Sequence, residues 1–167
     1  MGANRGLSTH IARFSDMRDE EIFELLSRRA AVPYPGTWPT APFENRHLGD
    51  QVYALVAIDP GLSAIGVDRE LGELWLLPED DESSLINSGI AAFVTCSQVY
   101  ATAVEEAARL EAEGFSDDDS DEDDSDPGDE FTDALIAQFA TIDEPSTADE
   151  NAFWPIAAEE LGYSLPA

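Results

Sequence analysis

Carboxylates are the side chains with the most chemical reach in this chain, and they crowd into two places. Four stand consecutively at Glu79-Asp80-Asp81-Glu82, and ten lie within the fourteen residues DDDSDEDDSDPGDE from Asp117 to Glu130. Dense carboxylates can hold a hard cation, share a proton in acid–base work, or attract a basic surface. The cation reading is testable by spacing. Counting from Asp119, the first, third, fifth and twelfth positions of a calcium-binding EF-hand loop fall on Asp119, Asp121, Asp123 and Glu130. The sixth, which needs glycine for a sharp turn, is Asp124, and the eighth, which should be apolar, is Asp126. So acidic a run produces such matches by composition, so loose cation association is expected and a dedicated metal site is not.

The acid–base reading is no better supported. Paired carboxylates occur throughout, so no pair is singled out. His10 and His47 are isolated and read as surface or loop residues. Cys96, flanked by Val94, Thr95 and Ser97, has no partner at metal-ligand spacing. No phosphate-cradling glycine loop and no nucleophile elbow is present. The expectation is a protein that is not an enzyme and needs no cofactor.

Charge favours the third reading. The chain of 167 residues holds 36 acids against 8 basic residues, all of them arginine, for a formal charge of −28. Residues 1–110 contain every arginine and 17 of the acids; residues 111–167 contain 19 acids and nothing basic. Such a field repels nucleic acid and anionic membranes and draws in basic protein surfaces. The expected partner is therefore a basic protein. A lone cysteine is compatible with a reducing compartment, and the opening MGANRGLSTHIARF has no apolar core of signal-peptide length, so a cytoplasmic location is expected.

These residues need elements to position them. A first helix is expected from about Asp16, with acids Asp19, Glu20 and Glu21 in its first turn and Arg28 and Arg29 in its last, and with Ile22, Leu25 and Leu26 on one face. Four prolines between Pro33 and Pro42 argue for an extended stretch. Strands are expected at Gln51–Asp59, Leu62–Val67, Glu73–Leu77 and Ser84–Ile86, with turns at Pro60-Gly61 and at Asp68–Gly72. Asn87 or Ser88 is expected to cap a long amphipathic helix reaching Glu113, with Ile90, Phe93, Ser97 and Tyr100 on its face. After the acidic block come a helix with Phe131, Leu135, Phe139 and Ile142, then a last helix with a capping box at Thr147 and Glu150 and a stop at Gly162. Residues 1–44 form an N-terminal helix and proline-rich segment, expected to join the same domain as residues 45–167, whose acidic loop spans 116–130. The bland reading of that loop is a solvated linker; the sharper one is an electrostatic lure.

The middle of the chain carries a resemblance. Ala64-Ile65-Gly66-Val67-Asp68, then Leu71-Gly72-Glu73-Leu74-Trp75, then Ile86-Asn87-Ser88 running into Ile90-Ala91-Ala92-Phe93 resemble the central signature of the SUKH superfamily. The likeness is greatest to its fourth group of bacterial immunity proteins. Ile142-Asp143-Glu144-Pro145 through Phe153-Trp154-Pro155 is similar to that group's closing helix. The resemblance covers roughly residues 45–165. Leu71 stands where the family has threonine, Gly89 replaces a serine, and the acidic block resembles an insertion.

What the resemblance implies is an α/β (α+β) fold, with a mixed, largely antiparallel sheet flanked by helices, and a protein that binds and silences a cognate toxin, often a nuclease or deaminase. The motif residues read as fold markers: Asp68, Gly72 and Glu73 shape a hairpin, Trp75 fills a core, and Asn87 and Ser88 cap a helix. The partner-binding candidates are instead the acidic clusters, Glu79, Asp80, Asp81 and Glu82 with Asp117, Asp118, Asp119, Asp121, Glu122, Asp123 and Asp124, together with Trp38, which would anchor an interface if exposed. Alternatives from other classes are a scaffold or regulatory domain of the same fold, and an acidic mimic of nucleic acid.

Overall fold

The computed structural model describes residues 17–113 and 127–163. These divide into two compact units. One is built on residues 17–28 and 34–91, the other on 29–33, 92–113 and 127–163. Among the described residues the arrangement is α+β: five strands in one antiparallel sheet, with four α-helices.

The first unit opens with α1 (Asp19–Leu26), which buries Ile22 and Leu26. Its three leading acids complement the positive end of the helix dipole. The helix is shorter than the sequence suggests. It ends at Leu26, Ser27 turns its hydroxyl to the Glu24 carbonyl, and Arg28 and Arg29 fall beyond the last turn. The sheet follows as β1 (Asn45–Leu48), β2 (Gln51–Asp59), β3 (Ser63–Asp68), β4 (Leu74–Pro78) and β5 (Ser84–Asn87), in that spatial order, with every neighbouring pair antiparallel. The apolar run of β2 is buried over its central five residues, as a strand inside a sheet requires.

Strand β1 was not anticipated. Asn-Arg-His-Leu has little strand propensity, and it is recruited by the turn that follows. Gly49-Asp50 joins Leu48 to Gln51, and Gly49 has φ 61°. A two-residue hairpin with glycine in its first position needs that angle, which other residues reach only with strain. Ahead of β1, Thr37 in the proline-rich stretch exchanges two 2.8 Å backbone bonds with Ile58 on the same edge of β2.

Arg69 fixes the start of β1. Its Nε donates to Asn45 Oδ1 at 2.7 Å, its Nη1 to the Met17 carbonyl at 3.0 Å, and its Nη2 pairs with Asp19 Oδ1 at 2.6 Å. The other Asp19 oxygen accepts the Phe43 amide at 2.9 Å.

Helix α2 (Ile90–Glu113) leaves the first unit after Ala91 and reaches the expected C-terminus. In the second unit, Ser97 accepts the Ala30 amide at 2.9 Å and donates to the Val94 carbonyl at 2.6 Å, pinning residues 29–33 to the helix. The core there is aromatic. Trp154 is fully buried among Phe93, Tyr100, Phe139 and Phe153, with ring centroids 5.0–6.0 Å away, distances at which tilted and edge-on rings attract. Helix α3 (Pro127–Ile142) begins inside the 116–130 stretch expected to be loop. Proline at the first helical position followed by Asp129 and Glu130 suits a helix N-terminus.

Two terminus signals prove misleading. Thr147 makes no capping box: it lies in a 3-10 turn (Glu144–Thr147) and donates to the Glu144 carbonyl, while α4 (Phe153–Tyr163) starts six residues later. Gly162 does not stop that helix but sits inside it, buried against α3. A Cβ there would lie 2.7 Å from the Gly128 carbonyl oxygen and closer still to Thr132 Oγ1, which itself donates to the Ala158 carbonyl. A methyl group at Gly162 therefore has to push two helices apart. Gly162→Ala is expected to lower stability by roughly 1–3 kcal/mol, although alanine is the better helix former, with the loss read as an earlier midpoint in chemical denaturation.

Candidate functional site

Alternation along the strands sorts the sheet into two faces. One carries Tyr53, Leu55 and Ile58 from β2, Ala64 and Gly66 from β3, and Trp75 and Leu77 from β4; Tyr53, Leu55, Ala64 and Leu77 are buried, with Ile58 and Trp75 packed against them. Gly66 makes this packing possible, because a Cβ there would meet the Tyr53 Cβ at 2.9 Å and Leu77 Cδ1 at 2.8 Å. Trp75 is half-buried, a flank of this cluster and not its centre.

The same face is concave. Arg46 of β1 donates to the Leu77 carbonyl on β4 at 3.4 Å and pairs with Glu79 at 3.3 Å. Three strand spacings in a flat sheet would span about 14 Å, beyond the reach of an arginine side chain, so the sheet must curl. Two bulges supply the curvature, one in β2 between Leu55 and Ala57 and one where Leu74 and Trp75 face β5. Between β1 and the β4–β5 loop lies a cleft of about 470 Å³, lined by Arg46, Leu48, Leu77, Pro78, Glu79, Asp81 and Ser83.

The loop beyond β4 holds the first acidic cluster. Glu79, Asp80, Asp81 and Glu82 are all exposed. The Glu79 amide is tied to the Leu62 carbonyl at 2.9 Å, and Asp81 accepts the Glu82 amide at 2.7 Å. This brings the acids beside two open apolar side chains, Leu62 at 67% exposure and Leu48 at 42%. Apolar anchors within a charged rim have the anatomy of a protein-binding surface.

Of the residues singled out from the sequence, Glu79 and Asp81 meet at this cleft and Asp80 and Glu82 adjoin it. Trp38 is half-buried, so the condition for it to be an open anchor is met only in part. Asp117, Asp118, Asp119, Asp121, Glu122, Asp123 and Asp124 lie outside the described residues. Arg46, Leu48 and Leu62 were missed. The Gly49-Asp50 turn was the signal that could have revealed the first two. The second unit has its own cleft of about 590 Å³ between α3, the 3-10 turn and α4, with Ile136 and Pro155 on its walls and Asp149, Glu150 and Glu159 around it. Among the described residues, no group of histidine, cysteine and carboxylate side chains could hold a metal ion, and no helix is long and apolar enough to cross a membrane.

The family model for SUKH-4 immunity proteins matches residues 35–160. The chain belongs to the SUKH-4 immunity protein family. No curated protein and no solved structure matches it. The SUKH-4 region begins at residue 35, inside the proline-rich stretch and ahead of the expected start at 45. Membership gives an immunity function in general, with a cognate toxin as the kind of partner. The SUKH-4 motif residues act locally. Asp68 is buried, its Oδ1 accepts the Glu70 and Leu71 amides at 2.9 and 3.1 Å, and its own amide donates to the Glu73 carbonyl, while Gly72 closes the turn at φ 77°. Asn87 is the buried last residue of β5, paired with Leu74. These residues shape the β3–β4 hairpin and the sheet end, away from the acidic loop in sequence.

The Asp19–Arg69 pair is largely shielded and also holds the Phe43 amide, whereas Arg46–Glu79 is open to water. Asp19→Asn should cost roughly 2–3 kcal/mol and Glu79→Gln less than about 1 kcal/mol in denaturant titrations. Burial, reinforced by the charges of Asp68 and Glu73, pushes the Tyr53 phenol above its ordinary range. The unfolded phenol ionises near pH 10, so the folded state holds the proton longer, and this contribution to stability is present below that pH and lost above it. Thermal stability should fall as pH rises from about 9 to about 11, and Tyr53→Phe should remove part of the late phenolate absorbance in an ultraviolet titration.

Proposed function

We propose that this protein neutralises a toxin domain with a basic surface, of nuclease or nucleic-acid deaminase type, by docking on it stoichiometrically in the cytoplasm and blocking its working cleft. The observation that carries this reading is the coincidence of exposed Glu79–Glu82 with open Leu48 and Leu62 at one end of the sheet. Membership of an immunity family supports it, as does the excess of 36 acids over 8 arginines. Enzymes that process nucleic acid present cationic surfaces to phosphates. An anionic, partly apolar surface meets such a surface on both counts: charge speeds encounter and sets orientation, and buried apolar contact slows release. On this reading the protein makes and breaks no covalent bond.

The test is co-expression with the toxin domain encoded beside its gene. Growth should be restored when this protein is present at equal or greater amount, and arrest that continues unchanged would refute the proposal. In binding kinetics, moving from low to physiological salt should slow association by about tenfold or more. Replacing Asp80, Asp81 and Glu82 with lysine should slow it comparably at low salt, with a smaller effect on dissociation.

A further inference from the structure

Strand β1 is an outer strand of the described sheet, and two of its side chains, Arg46 and Leu48, line the cleft beside the acidic loop. The register fixes which of its backbone groups are spoken for. The Leu55 amide donates to the Glu44 carbonyl at 2.8 Å, and Arg46 and Leu48 stand opposite Tyr53 and Gln51. In an antiparallel pair, hydrogen-bonded and non-bonded positions alternate. Glu44, Arg46 and Leu48 therefore bond to β2, and the amides and carbonyls of Asn45 and His47 point away from the sheet. Both residues are exposed, and no described strand pairs with them. The acidic loop is close by: Arg46 and Leu48 line one wall of the cleft, and Glu79 and Asp81 the other. Glu44 and Asp50 add acids at the two ends of β1.

From this geometry we infer that β1 is a docking edge at which an extended basic segment of the toxin adds as a sixth, antiparallel strand. The inference rests on the immunity reading and specifies how contact is made. An added strand would bond to Asn45 and His47 through its backbone. Its residues opposite Arg46 and Leu48 share their face, so alternate side chains lie over the cleft. Those side chains should be arginine or lysine, with stems along Leu48 and Pro78 and charges toward Asp81 and Glu79. Four residues are a short edge, and short edges are one guard against unwanted pairing. Charge must therefore supply part of the affinity, and binding must weaken with salt.

The probe is the capped peptide Arg-Val-Arg-Val-Arg-Val-Arg-Val, titrated into the full-length protein at low salt. Two N-methylated forms separate backbone pairing from charge. With arginines over the cleft, the valine amides face β1, so methylating the valine nitrogens should weaken binding by at least about tenfold, the worth of one or two hydrogen bonds. Methylating the arginine nitrogens should leave binding within about threefold, because those amides face solvent. The amides of Asn45 and His47 should gain protection from hydrogen exchange on binding. His47→Pro removes an outward amide that the sheet does not use and should weaken binding by about tenfold or more, with an unchanged unfolding midpoint as its control. Absence of peptide binding, equal binding of the two methylated peptides, or protection elsewhere overturns the inference. So does protection of these amides that grows with protein concentration in the absence of peptide, since a second copy would then occupy the edge. Cells rescued from the toxin equally well by wild-type protein and by His47→Pro would overturn strand addition while leaving immunity standing; failure of the wild-type protein to rescue would remove immunity itself.

Discussion

The guanidinium of Arg69 makes three contacts in three directions, to Asp19 at the head of α1, to the Met17 carbonyl, and to the Asn45 side chain where β1 begins. The backbone around it contributes as well, since the Met17 amide donates to the Arg69 carbonyl at 2.7 Å and the Arg69 amide to Val52 at 3.0 Å. A chain with 36 carboxylates and eight arginines has few cations to distribute. This one lies at a junction of three stretches distant in sequence, where its side chain adds to the backbone bonds. Asp19 and Arg69 are largely shielded from water, which strengthens their attraction, and Phe43 shares the same carboxylate. The bond from Arg69 Nε to Asn45 Oδ1 is a direct side-chain tie between the first residue of β1 and the β3–β4 turn, alongside the backbone ladder through β2. The free edge, the cleft and the curl toward the acidic loop all presuppose that β1 starts where Arg69 holds it.

Another arginine of the unit performs a lighter task. Arg46 reaches across the concave face to Leu77 and Glu79, but its ion pair is open to solvent. Exposed pairs contribute little stability and exchange partners readily. Arg46 thus shapes the cleft without sealing it, and a competing cation meets a carboxylate held by a weak bond. The contrast between the two arginines is one of burial. Shielding makes Arg69 structural, and exposure leaves Arg46 adjustable.

Much of the fold was legible because burial leaves a period in the sequence. The run Gln51–Asp59 was read with the bounds it has, and the long helix reaches Glu113 as expected, though it starts only at Ile90 and Asn87 ends β5. Glycine and turn signals were legible where they act through backbone angle, as at Gly72 and Gly61. They misled where glycine acts through size. Gly162 looks like a helix stop from sequence, yet it is there because Thr132 and Gly128 leave no space. The capping-box pattern at Thr147 failed for a related reason: local hydrogen bonding to Glu144 satisfied the hydroxyl within a tighter turn. The candidate site was half legible. Its acids announce themselves by composition, but Arg46 and Leu48 belong to a strand whose residues carry no strand preference, and Leu62 joins them only through a bond between two loops. Proximity created by sheet curvature has no local signature.

Charge also resolves an apparent conflict in leaving a sheet edge open. Free edges invite pairing with identical chains, and proteins guard them with charges, proline or brevity. Here the guard is selective. Another copy of this chain approaches with the same −28 charge and the same acids around its own edge, so like-charge repulsion opposes edge-to-edge association at every orientation that brings the two β1 strands together. A cationic segment meets the opposite field. The apolar contacts at Leu48 and Leu62 would not distinguish these visitors, because buried area rewards either one. Discrimination must then come from the repulsive term, as specificity between competing partners commonly does. The same acidity sets a like-charge barrier against self-pairing at this edge, with no proline on β1.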